Sequence, residues 1–61
     1  MTAKEVFEMA TEIMESVDDE DFTVWEIDFL ESMQEQFEDY EGRPTPKQIE
    51  SLRKIHKKYM E

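Results

Sequence analysis

Apolar residues recur along this chain at spacings of three and four, in three separate runs. Ala3, Val6, Phe7, Ala10, Ile13, Met14 and Val17 fall on one stripe of a helical projection. Trp25, Phe29, Leu30, Met33, Phe37 and Tyr40 make a second, and Ile49, Leu52, Ile55 and Tyr59, edged by His56 and Met60, make a narrower third. The pattern predicts helices over about residues 3–17, 24–41 and 46–60. Each predicted start carries the same device. Thr2 is followed three residues on by Glu5, Thr23 by Glu26 and Thr45 by Gln48, the pairing in which two side chains reciprocally satisfy the free amides of a helix N-terminus. Pro46 occupies the first helical position of the third segment, where its missing N–H costs nothing. Phe22 and Ile27 are spaced to staple the start of the second. The charge run SVDDED ends the first helix, and EGRPT, holding the only glycine, ends the second. Short connections favour antiparallel or steeply crossing neighbours. The expected fold is all-α: one compact three-helix domain spanning residues 1–61, the second helix supplying most of the aromatic core.

Size limits what such a domain can do. Sixty-one residues bury only about 60% of the surface their unfolded chain exposes. With no cysteine, the core has neither a disulfide nor a thiolate zinc site to reinforce it, and self-association is one route to added stability. No apolar run exceeds two residues, so no membrane span is expected. The N-terminus lacks the basic and apolar regions of a signal peptide, and a cytoplasmic setting is expected.

Charge divides the chain more sharply than the helices do. Residues 1–42 hold fifteen Asp and Glu against one Lys, a balance of −14, whereas residues 43–61 hold six Lys and Arg against two Glu, a balance of +4. On the third helix Lys47, Arg53, Lys54, Lys57 and Lys58 project away from the apolar stripe and form a candidate basic partner-binding face. On the first, Glu5, Glu8, Glu12 and Glu15 lie opposite the core, and Asp18, Asp19, Glu20 and Asp21 continue the acidic surface; together they are the alternative partner-binding face. A solvated acidic face also simply keeps a small domain soluble.

Recognisable catalytic chemistry is missing from the sequence. His56 is the single histidine, without a metal-ligand spacing around it. An EF-hand loop begun at Asp19 would place Val24 and Leu30 where glycine and glutamate are required. One glycine cannot build a phosphate-cradling loop. No enzyme activity, cofactor or metal is expected. Three binding readings remain. The second and third helices can be read as a helix-turn-helix, with Lys47, Gln48 and Ser51 leading a recognition helix, although the acidic remainder repels a polyanion. The acidic helices, including Glu31, Glu35, Glu38 and Asp39, can be read as a mimic of a phosphate array. The chain can also be a helical adaptor for a protein, with five Met for adaptable packing and Trp25 half exposed at the edge of its stripe.

The segments FTVWEIDFLESMQEQF and GRPTPKQIESLRKIHKKY resemble a pattern in small phage-encoded proteins and in helical tails of phage DNA-metabolism proteins. That pattern runs W-E-x-x-F-L-x-S, a spacer, then L-T-x-K-Q-x-x-x-L-x-K-I-x-x-K. Trp25, Glu26, Phe29, Leu30, Ser32, Thr45, Lys47, Gln48, Leu52, Lys54, Ile55 and Lys58 match it; Pro44 stands where leucine is common. The resemblance spans about residues 22–59, leaving the first helix outside. It implies a viral accessory protein in the host cytoplasm that contacts a protein of DNA replication, repair or host takeover. Direct DNA or RNA binding through the third helix, or inhibition by DNA mimicry, are the alternatives.

Overall fold

The computed structural model describes all 61 residues. Helix α1 runs Ala3–Ser16, a single 3-10 turn follows at Asp19–Asp21, α2 runs Val24–Gln36 and α3 runs Pro46–Met60. The fold is all-helical, as the periodicity predicts. Every helix starts one residue after its threonine, and all three reciprocal caps form, with bonds of 2.9–3.2 Å between Thr2 and Glu5, Thr23 and Glu26, and Thr45 and Gln48.

Helix α1 is the central element, packing extensively on both α2 and α3, which touch each other far less. Its buried stripe of Ala3, Val6, Ala10 and Ile13 has small residues at two positions, which lets both neighbours approach. Phe22, Leu30, Met33, Phe37, Leu52 and Ile55 complete the core. The Cα radius of gyration is 10.6 Å, against about 10.5 Å for a compact chain of this length, so two principal interfaces are enough to close the domain.

Two features depart from the sequence reading. First, α2 stops at Gln36, five residues short of the expected boundary. Asp39 Oδ1 accepts the Glu41 amide at 3.1 Å, a local turn that competes with helix continuation. Tyr40 has a φ of +61°, which a helix does not permit. This left-handed residue is stabilised across the fold: its ring meets Phe7 edge-on at 5.6 Å, and Lys4 Nζ lies 5.9 Å from its centroid. Second, the buried face of α2 is Glu26, Leu30 and Met33, extended by Phe37, at spacings of four, three and four. Trp25 and Tyr40 therefore fall outside the core and Phe29 lies at its edge. The buried aromatics are Phe22 and Phe37, at either end of α2 rather than along its face.

Gly42 follows with a φ of +86°, and a Cβ there would sit 3.8 Å from Phe37 Cε1, an ordinary contact. The conformation alone therefore sets the cost of replacement. Gly42→Ala is expected to lose about 1 kcal/mol in urea unfolding, and an unchanged or raised midpoint would contradict the left-handed assignment.

Candidate docking site between the second and third helices

Glu26 lies on the buried stripe of α2 because it is four residues before Leu30 and seven before Met33; it is 6% exposed. Its carboxylate needs partners, and it has three. The Thr23 amide donates to Oε1 at 2.9 Å, the Tyr59 hydroxyl donates to the same oxygen at 2.6 Å, and Lys58 Nζ donates to Oε2 at 3.1 Å. The Tyr59 oxygen also lies 3.1 Å from the Asp21 carbonyl. Phe22 packs edge-on to the Tyr59 ring at 4.9 Å, and Lys58 Nζ is 5.0 Å from that ring's centroid. One carboxylate thus joins the start of α2, the 3-10 turn and the end of α3.

The electrostatics follow from those contacts. Desolvation pushes the Glu26 carboxyl up, and the donors from Thr23, Tyr59 and Lys58 together overcome it, holding the group down at about 2. The same bonds to Glu26 raise Lys58 and Tyr59 above their ordinary values. A carboxylate held so low and bonded to three donors is a poor base near neutral pH. Its role is to lock elements together.

Beside this lock lies a shallow groove of about 260 Å³, lined by Trp25, Glu26, Ser51, Lys54, Ile55 and Lys58. Trp25 is 59% exposed, and its indole stacks on Phe29 at 5.3 Å with 11° between the planes. The indole thus rests on a rigid aromatic support while much of its surface meets water. The far end of the seam between α2 and α3 is tied by Gln48 Nε2 donating to Gln36 Oε1 at 3.2 Å.

The basic residues singled out in the sequence are all exposed, and all but Lys47 border two depressions that meet at Lys54. Lys47, Ser51, Lys54 and Lys58 are spaced by four, three and four, along the flank of α3 that borders the groove. Arg53 and Lys57 lie on the other flank, where with Pro46, Ile49, Glu50 and Lys54 they line a separate depression of about 440 Å³. Lys54 borders both and pairs loosely with Glu50 at 3.6 Å. Lys58 is 56% exposed along its side chain yet has its charge engaged by Glu26. Sequence reasoning placed Glu26 in a cap and Lys58 on a free face; the signal that joins them was the coincidence of Glu26 with the stripe of Leu30, Met33 and Phe37.

The acidic candidates are dispersed. Glu8, Glu12 and Glu15 are exposed along α1, while Glu5 is held in its cap, with its carboxyl lowered by the Thr2 backbone bond. Asp18 precedes the 3-10 turn of Asp19, Glu20 and Asp21, all four exposed. No three acidic or histidine side chains converge as a metal site. Between α1 and α2 a trough of about 490 Å³ is lined by Phe7, Glu31, Gln34, Glu35 and Glu38, and Gln34 Nε2 donates to Thr11 Oγ1 across the two helices at 3.1 Å.

Nine residues, 37–45, separate α2 from α3, against three or four in a helix-turn-helix. Both helices also pack principally on α1, and the connection between them is longer than the tight turn of that motif. No helix is long and apolar enough to cross a membrane. Comparison with known proteins finds no matching family model, no matching curated protein and no matching solved structure.

Proposed function

We propose that this chain is a non-enzymatic helical adaptor that docks onto a protein through the seam between α2 and α3. The observation that carries this reading is Trp25, 59% exposed, stacked on Phe29, and set beside Lys54 and Lys58. An exposed tryptophan at a small concave surface is a recurrent interface hot spot, and the two lysines give its rim a sign of charge. A half-buried, pre-stacked support lowers the ordering cost of binding. The pattern shared with phage helical proteins over residues 22–59 supports a setting in a virus-infected cell, with the partner drawn from nucleic-acid metabolism.

A bacterial protein captured on the immobilised chain and then purified should bind it in solution. Trp25→Ala should weaken that binding by about tenfold or more, while shifting stability by about 1 kcal/mol at most, the value of one exposed aromatic stack. Equal affinity for both forms would remove Trp25 from the interface and overturn the reading.

The trough of Glu31, Glu35 and Glu38 supports a second reading, in which the acidic side occupies the nucleic-acid site of a basic protein. Under it, Glu31→Lys with Glu35→Lys abolishes binding to the captured partner and Trp25→Ala leaves it unchanged.

A further inference from the structure

We infer that the occupant of the α2–α3 seam is an acidic amphipathic helix, seating one bulky apolar side chain against Trp25 and directing carboxylates at Lys47 and Lys54. The inference rests on the docking reading and adds the chemistry of the partner. On the α2 side of the seam Trp25, Phe29, Ser32 and Gln36 carry no charge, and the one carboxylate that lines the groove, Glu26, is already paired with Lys58. On the α3 side Lys47 and Lys54 are exposed and Lys54 has only a loose, exposed partner. An occupant therefore needs an apolar centre and negative charge on one flank alone. The groove of about 260 Å³ holds one or two side chains, enough for a single anchor.

The occupant's backbone is settled by what the domain lacks. All three elements are helices, with no sheet edge to pair an extended peptide, so a docked strand would leave amides unsatisfied; a helix satisfies its own. From Trp25 to Gln36 the seam rises about 16 Å, three helical turns. An acidic helix of that length ends within the basic flank. A nucleic acid runs beyond it, onto a surface that outside residues 43–61 has a balance of −14. The acidic faces on the far side of a domain 17–18 Å thick lie beyond one Debye length, about 8 Å at physiological salt.

The test uses a labelled synthetic helix of about four turns, with leucine on one face and glutamate along one flank, and a matched peptide with lysine in place of glutamate. Fluorescence anisotropy at about 0.15 M salt should show the glutamate peptide binding about tenfold more tightly than the lysine peptide. Trp25 emission should shift to the blue. Lys47→Glu with Lys54→Glu should reverse the preference, while Arg53→Glu with Lys57→Glu should keep it; circular dichroism checks that both variants fold. Equal affinities, a preference for lysine, no binding of either peptide, tighter binding of oligothymidine, or a dimer that buries Trp25 would each overturn the acidic-helix occupant. If the peptides fail but Trp25→Ala still releases the captured protein, the docking reading survives; if that protein ignores Trp25→Ala, the docking reading itself fails.

Discussion

Glu26→Ala will destabilise the domain by about 3 kcal/mol in urea unfolding, far more than removal of any other carboxylate in the chain. The reason is what the substitution leaves behind. The Thr23 amide loses its acceptor, the Tyr59 hydroxyl is left with the Asp21 carbonyl alone, and Lys58 loses its counter-charge. Removing the shared partner of buried hydrogen bonds costs about 1–3 kcal/mol; the upper end applies because one carboxylate serves three donors. Glu26→Gln keeps an oxygen for Thr23 and Tyr59 and removes the ion pair, so it should cost less than Glu26→Ala. pH separates the two contributions. The folded value of about 2 lies below the ordinary 4.5, so the charged carboxylate contributes its full stabilisation above about pH 4.5 and loses it as pH falls through about 2. The stability difference between wild type and Glu26→Gln should therefore be constant near neutrality and shrink across that acid window. A difference independent of pH would show that the charge of Glu26 does not stabilise the fold.

Phe37→Ala will have the larger effect, about 3–5 kcal/mol. Phe37 is 1% exposed and is among the largest fully buried side chains. It also caps α2, donating its amide to the Met33 carbonyl at 3.2 Å, and it accepts the Tyr40 amide at 3.0 Å. A domain of 61 residues has about 3–9 kcal/mol of stability in all, so the substitution removes most of it. Far-UV circular dichroism should show a largely unfolded chain at room temperature, or one that unfolds with little denaturant. A cooperative transition within about 1 kcal/mol of wild type would mean that the cavity collapses and that the core does not depend on this ring.

The helix starts were legible in the sequence because each is a local event: a threonine and the residue three later decide it, and Thr2, Thr23 and Thr45 all cap as their spacing requires. The end of α2 was not legible, because Tyr40 takes a left-handed conformation supported by Phe7 and Lys4, more than thirty residues away along the chain. The facing of α2 was legible only in part. Aromatic weight drew the expected stripe toward Trp25 and Phe29, whereas the period of Leu30, Met33 and Phe37 selects Glu26, a polar residue that becomes tolerable in the core only with Lys58 and Tyr59 in place.

The same geometry gives physical roles to residues of the two segments FTVWEIDFLESMQEQF and GRPTPKQIESLRKIHKKY. Leu30, Leu52 and Ile55 are core, Thr45 and Gln48 are a cap, Trp25 and Phe29 are a stack, and Glu26 with Lys58 is the ion pair that ties the two halves of the motif together. Ser32, Lys47 and Lys54 of these segments have no such structural duty. Lys47 and Lys54 are exposed on the flank beside Trp25, where they are free to meet a partner.

The claim that the α2–α3 seam is the docking face is tested most directly by titrating the captured partner into isotope-labelled chain and mapping the amide resonances that move. The account predicts shifts centred on Trp25, Phe29, Ser32, Ser51 and Lys54, with Glu8, Glu12 and Glu15 on α1 unmoved. Shifts centred on the acidic residues of α1 and the trough of Glu31, Glu35 and Glu38, with Trp25 silent, would contradict it.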